Sequence, residues 1–317
     1  MSDKSYKIEL TPPSIAPYRE GNTGVDYVTT LDSNEPGPHV MVNAVTHGNE
    51  LCGAIALDFL FRNDVRPTRG KLTLSFANHE AYLRFDPSAP TVSRFVDEDF
   101  NRLWSPDVLE GARDSVELRR AREFRPIVDQ ADFLLDIHSM QTECAALIIA
   151  GSAPKGRELA AAVGFPAYVV MDAGHAAGRR LRDYGGFGDP ANAKAAMLVE
   201  CGQHWEASSA RVAIEVALRF LRHLDVIDPG FAEAHLSAAP PAPQRFVEVT
   251  QAVTIKTDRF AFVGEYSGLE VIPKAGTVLA HDGDEPIATP YDDCVLIMPS
   301  WRLRPGETAV RLGRYAA

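Results

Sequence analysis

Cysteine is scarce and scattered in this chain. The four cysteines, Cys52, Cys144, Cys201 and Cys294, include no short-spaced pair, so neither a sulfur-rich metal site nor a disulfide framework is expected, and the thiols read as buried. No apolar run is long enough to span a bilayer, and no segment joins a charged n-region, an apolar h-region and a small-residue cleavage site. The expected setting is therefore cytoplasmic, with no membrane partner. Positive charge is in deficit, with a formal net charge of −11. Non-specific affinity for a phosphate backbone depends on lysine and arginine displacing counterions, so a general nucleic-acid binder is excluded. An anionic small molecule is not excluded, because a local arginine cluster can hold a carboxylate inside an acidic protein. A dinucleotide fingerprint and a phosphate-binding loop are also missing: Gly185, Gly186 and Gly188 lack the required context and lysine. The chain has no strong internal repeat and no low-complexity tract.

With 45% hydrophobic and 24% charged residues in 317, the composition suits one large domain and a smaller companion. Apolar runs predict strands at His39–Val45, Lys71–Ala77, Phe133–Ile137, Ala145–Ile149, Ala167–Met171 and Ala195–Glu200. Helical spacing covers Glu50–Phe61, Asp107–Ile127, Pro154–Val163 and Glu206–Leu224. This alternation predicts an α/β/α sandwich on a mostly parallel or mixed sheet. Reactive groups in such sheets gather beyond the carboxyl ends of the strands. Between the elements, 78–104 is polar and irregular, and the glycine-rich 174–188 reads as a long surface loop. The expected division is a main unit over 1–227, an alanine- and proline-rich linker or crossover over 228–244, and a small β-rich domain over 245–317.

His47 and Glu50 flank Gly48-Asn49 where a strand should hand over to a helix. Three residues apart on a helical turn, both side chains can face one point. They suit a zinc ion, or equally a local polar contact or cap. His138, ending Phe-Leu-Leu-Asp-Ile-His, would complete a two-histidine, one-carboxylate set, the ligand set of carboxypeptidase A. Asp136 shares the strand face of His138 and would orient its imidazole. Glu200 closes an apolar run, where a carboxylate is costly unless bonded or opening into a site. It reads either as a general base or as a structural carboxylate. Arg94 would stabilise a developing oxyanion, and Asn101 with Arg102 would hold a substrate carboxylate. The alternative is a loop held by its own ion pairs, with Asp97 and Asp99 supporting the arginines. Arg180 is a candidate substrate contact, although Arg179, Arg180 and Arg182 equally suit a solvated loop or an oligomer contact. His175 and His204 read as ordinary polar residues, and His79 is not needed as a ligand.

In order and broad spacing, His47-Gly48-Asn49-Glu50, Asn78, Arg94-Phe95, Asp99-Phe100-Asn101-Arg102, Asp136-Ile137-His138 and Val199-Glu200-Cys201-Gly202 resemble the succinylglutamate desuccinylase and aspartoacylase family. That family is a branch of the zinc carboxypeptidase-like hydrolases, and the resemblance runs from about His39 to Leu224. It implies a carboxypeptidase-like mixed-sheet α/β/α sandwich with a small C-terminal β-rich domain. It also implies one Zn²⁺ per chain on His47, Glu50 and His138, with Glu200 as base and acid and Arg94 at the carbonyl oxygen. Asn101 and Arg102 would bind substrate. The expected activity is removal of an acyl group from a small N-acylated amino acid or related amine that carries a carboxylate, in a homo-oligomer, dimer or tetramer. The departures concern substrate choice. No tyrosine occurs in Pro299-Ser300-Trp301-Arg302-Leu303-Arg304, where aspartoacylase supplies one, and Phe95 replaces the tyrosine common at that place. Ser-Met-Gln-Thr-Glu-Cys after His138 fits neither well-known specificity group, and Glu143 within it would meet either a cationic substrate group or solvent. N-acetylaspartate and succinylglutamate are therefore poor specific expectations. The competing readings are a small metallocarboxypeptidase, which would need an open peptide groove instead of a closed pocket, and a catalytically inactive small-molecule-binding protein of the same fold.

Overall fold

The computed structural model describes residues 6–301 and 303–316. Eight strands precede or close the crossover: β1 Val28–Asp32, β2 His39–Ala44, β3 Lys71–Phe76, β4 Phe133–Met140, β5 Leu147–Ile149, β6 Tyr168–Met171, β7 Ala195–Gln203 and β8 Arg245–Thr254. Six more follow: β9 Phe260–Phe262, β10 Val271–Ile272, β11 Val278–Asp282, β12 Glu285–Ala288, β13 Cys294–Ile297 and β14 Thr308–Tyr315. Eleven of them form one mixed sheet in the order β1-β3-β2-β4-β7-β5-β6-β8-β14-β13-β10. β3, β2, β4 and β7 are parallel neighbours, and the mostly apolar character of β2, β4 and β7 follows from both faces being covered.

Side-chain alternation on the central strands separates two apolar clusters, one on each face. Val40, Val42 and Ala44 of β2 join Leu57 and Leu60 of helix Leu51–Arg62 and Val216 and Phe220 of helix Ala207–His223 on one face. Met41 and Leu134 meet Phe124 of helix Val116–Val128, together with Trp104 and Phe187, on the other. Each such fully buried large side chain contributes about 1.5–3 kcal/mol. The two layers hold the strands rigidly and fix where their carboxyl ends lie.

Two details differ from the expectations. The single helix over 107–127 is a short turn, Pro106–Leu109, followed by helix Val116–Val128. Ser115 is the reason: it is fully extended, and its hydroxyl accepts from the Leu118 amide, starting a new helix there. Within 228–244 the chain forms helix Pro229–His235, capped by Asp228 on the Phe231 amide. The C-terminal segment is β-rich, as expected, and its strands fall into both sheets. β8 pairs in parallel with β6 and carries β14, β13 and β10 on the main sheet, while β9, β11 and β12 form the separate antiparallel sheet. Among the described residues, no helix is long and apolar enough to cross a membrane.

Candidate metal centre

At the end of β2 the backbone turns sharply, with Val45 at a φ of 62°, an unusual conformation for a β-branched residue. Amides of Ala77 and Asn78 bond the Ala44 and Val45 carbonyls and hold this turn. Gly48 follows, where a Cβ would collide with the backbone of Ala81, Tyr82 and Ser93. Its amide donates to the Arg94 carbonyl at 3.0 Å. The motif is thus tied to the segment that carries Arg94.

Glu50 precedes helix Leu51–Arg62 but does not cap it with its side chain. Its carboxylate instead bridges two imidazoles, with Oε1 2.7 Å from His47 Nδ1 and Oε2 2.9 Å from His138 Nδ1. One donor atom from each of these three buried residues can be chosen so that all lie within 4.8 Å of one another. The far nitrogens are anchored too. His138 Nε2–H donates to Asp136 Oδ2 at 2.9 Å, and Asp136 Oδ1 accepts from Asn43 and Thr46. His47 Nε2 lies 2.9 Å from Asp99 Oδ1. For His138, an Nε2–H held by Asp136 leaves Nδ1 as the ring atom facing Glu50 and available to a metal, the arrangement that favours ligation by histidine. The donor set, its burial and the anchored tautomer of His138 fit a metal ion.

Electrostatics reinforce the geometry. Burial alone would raise the Glu50 carboxyl, but His47 and His138 outweigh it and hold it well below the usual range. Burial would depress His138, yet Asp136 and Glu50 raise it well above its ordinary value. Asp99 is likewise held low against burial by His47, Arg94 and Arg102. Glu200 behaves oppositely. It sits on β7 directly across from His138 on β4, and burial, opposed by His138 and helped by Glu50, pushes its carboxyl up to about 8. Its Oε2 has no hydrogen-bond partner among the described residues. A carboxyl so placed is ready to exchange a proton near neutral pH.

The segment after Ser93 supplies the cations. Arg94 reaches Asp99 at 3.2 Å, Glu50 at 3.5 Å and His47 Nε2 at 2.9 Å. Asn101 accepts from the Leu181 amide at 2.8 Å, and its Nδ2 stands 3.5 Å from His138 Nε2. Arg102 donates to the Asn101 carbonyl and lies 4.0 Å from Asp99. Glu117, which sequence reasoning passed over, holds this segment in place. Its buried carboxylate accepts from the amides of Val96, Asp97 and Glu98 at 2.6, 3.0 and 3.2 Å, and from Asn78. Glu117→Ala would orphan all three amides, so a loss of at least about 1.5–3 kcal/mol in urea unfolding is expected. An unchanged midpoint would show that the segment is held by other contacts.

A cavity of about 810 Å³ opens over these groups. His47, Glu50, His138, Glu200, Arg94, Asn101 and Arg102 line it, as does Arg180. Arg180 is committed to Asp172 at 2.9 Å and Asp183 at 2.6 Å. Arg182 is a structural residue, bonded to the Ala150 and Ala196 carbonyls. Arg179 binds Trp104 through its carbonyl, and Glu143 is exposed, apart from the lining residues. The far wall comes from the C-terminal segment: Met298, Pro299, Ser300, Trp301, Thr308 and Arg311. Arg302 lies outside the described residues. Arg311, Asp172 and His175 are lining residues that sequence reasoning did not select. The available sign for Arg311 was a lone charge inside the apolar run Ala309–Leu312.

The sequence model of the Succinylglutamate desuccinylase/Aspartoacylase catalytic domain matches residues 36–224, more than half of the chain. The chain belongs to this family. Curated relatives include "Probable aspartoacylase" of Parasynechococcus marenigrum (strain WH8102), 32% identical over 143 residues, 41% of this chain and 45% of that protein. Another is "N-acyl-aromatic-L-amino acid amidohydrolase (carboxylate-forming)" of Rattus norvegicus, 28% identical over 126 residues, 37% of this chain and 38% of that protein. The chain thus matches less than half the length of these relatives. Among solved structures, a succinylglutamate desuccinylase from Vibrio parahaemolyticus superposes with a TM-score of 0.66 at 16% identity, covering 92% of this chain and 87% of its own. Murine aminoacylase 3 gives 0.59 at 18% identity, covering 89% and 97%. At these identities the likeness concerns the fold, and it extends over the C-terminal segment as well as the family's catalytic domain.

Proposed function

We propose that this family member is a zinc-dependent amidohydrolase that removes the acyl group from a small N-acylated amino acid carrying a carboxylate. The observation that carries this reading is the cavity itself. The buried His47–Glu50–His138 set, the Glu200 carboxyl with its unpartnered Oε2 and a cluster of arginines share one space, which Met298, Pro299, Trp301 and Arg311 wall from the C-terminal side. A walled pocket suits a small acylated molecule better than an extended peptide.

His47, Glu50 and His138 would hold the zinc ion. When bound, it acts as a Lewis acid that polarises the carbonyl and lowers the pKa of water. The protein's own groups do the rest. Glu200 takes a proton from the attacking water and returns it to the leaving nitrogen, so the hydroxyl ends on the acyl carbon as the C–N bond breaks. Arg94 faces the oxygen on which negative charge develops. Asp136 and Asp99 hold the imidazoles, while Asn101 and Arg102 flank the substrate.

The zinc-loaded protein should be screened by mass spectrometry against N-acetyl, N-formyl and N-succinyl amino acids and short peptides. Acid and free amine should appear in equal amounts from at least one N-acyl amino acid, with peptides inert. Release of C-terminal residues from peptides would replace this reading with the carboxypeptidase one, and no hydrolysis at all would favour a binding protein.

A further inference from the structure

Among the described residues, Arg102, Arg180 and Arg311 are three of the five arginines that line the cavity, together with Asp172 and His175. Their commitments differ. Arg180 spends all three nitrogens: Nε on Asp183 Oδ2 at 2.6 Å, one terminal nitrogen on Asp172 Oδ2 at 2.9 Å, and the other 3.5 Å from the Asp172 carbonyl. Arg102 uses one terminal nitrogen on the Asn101 carbonyl and leaves the other 4.0 Å from Asp99. Arg311, 7% exposed, makes an ion-pair contact at Nε, 3.0 Å from the same Asp172 Oδ2 that holds Arg180, without hydrogen-bond alignment. Among the described residues its two terminal nitrogens are uncommitted.

Asp172 and Asp183 are shared among three buried guanidiniums, those of Arg180, Arg182 and Arg311, which leaves positive charge uncompensated, a costly arrangement unless a ligand completes it. The neighbouring histidine registers the excess. His175 is pushed down to about 3 by burial and then by Arg102, Arg311 and Arg180, so it stays neutral beside them. Its Nδ1 accepts from the Ala177 amide, which places its proton on Nε2 as a further donor. The free end of Arg311 is a planar two-donor fork, the shape that matches a carboxylate at both oxygens.

We propose that Arg311, not Arg180, reads the substrate carboxylate and sets the preference for charged over neutral substrates. Asp172 aims Arg311 and anchors Arg180, so Arg180 is a positioning residue. The C-terminal strand β14 then contributes specificity to a reaction centre built on β2, β4 and β7. The inference rests on the deacylase reading for its substrate, though not for its test.

Two measurements on zinc-loaded wild type, Arg311→Gln and Arg311→Lys separate the inference from that reading. The first compares kcat/KM for an N-acyl amino acid and for its neutral carboxamide. Wild type should favour the carboxylate, and Arg311→Gln should lose about 10–100-fold on the carboxylate with the carboxamide unchanged. Arg311→Lys keeps the charge without the fork, so it should recover only part of the preference, and its melting temperature controls for folding. The second is calorimetric titration with free amino acids and amino acid amides, which needs no turnover. Preference for the free acid should disappear in Arg311→Gln. If no acylated substrate is cleaved but this binding preference depends on Arg311, the deacylase reading fails and the inference stands. An equal loss on both substrate forms, a preference that survives Arg311→Gln, or no binding preference in wild type overturns the inference.

Discussion

Replacing Glu200 with glutamine is expected to lower hydrolysis of an N-acyl amino acid by about 10²–10⁴-fold while leaving one zinc per chain, since a positioned general base contributes on that scale. Glutamine keeps the shape at the end of β7 but cannot carry a proton from water to nitrogen. Unlike Glu50, Glu200 makes no close contact with either imidazole, so the metal should remain. The decisive readings are turnover and elemental analysis on the same sample. Near-normal turnover would remove Glu200 from the base role, and lost zinc would make it a ligand. A stability signature accompanies the kinetic one in metal-free protein. Because burial raises the folded carboxyl from 4.5 to about 8, the unfolded chain releases this proton at lower pH than the folded one. The carboxyl therefore costs nothing well below pH 4.5, costs progressively more as pH rises through the interval, and reaches its full cost above about 8. Metal-free Glu200→Gln should gain stability over wild type along the same course. A bound cation nearby favours the ionised form and should shrink the gap. A difference independent of pH would show that the carboxyl is not held neutral.

The strands that present these groups were legible because parallel strands covered on both faces write themselves as mostly apolar runs. His39–Val45, Phe133–Ile137 and Ala195–Glu200 are such runs, and the structure puts them side by side. The polar residues that interrupt or end them, His47, Asp136, His138 and Glu200, stood out for the same reason. Residues whose partners lie far away in sequence did not. Glu117 is one more acid on a charged helix until its carboxylate is seen beneath three consecutive amides. Arg311 acquires meaning only when β8 and β14 extend the main sheet and bring it to Asp172. Short β-like runs after 245 state their own conformation but not which sheet edge they join. The reading of Asp99 was half complete. It supports Arg94, as expected, and also anchors His47, a contact across 52 positions that no local spacing encodes.

Replacing His138 with alanine is expected to abolish zinc retention on dialysis, whereas Asp136→Asn should weaken zinc affinity about 10–100-fold without eliminating it. The contrast follows from what each residue touches. His138 supplies one of the three donor atoms, the others coming from His47 and Glu50, and two ligands cannot complete a tetrahedral site. Asp136 meets only the far nitrogen of that ring, where it fixes the tautomer and makes the ring more basic. Asparagine can still accept the Nε2–H but without the negative charge. His138→Ala should cost stability even without metal, since Asp136 and Glu50 would lose a shared buried partner, a change on the scale of about 3–5 kcal/mol. Zinc should raise the melting temperature of wild type by mass action and leave that of His138→Ala unmoved. Full zinc occupancy in His138→Ala, measured by elemental analysis after dialysis, would remove His138 from the ligand set. Equal losses in both variants would mean that Asp136 does more than orient the ring, as the interlocked contacts of Asn43 and Thr46 with its other oxygen make structurally possible.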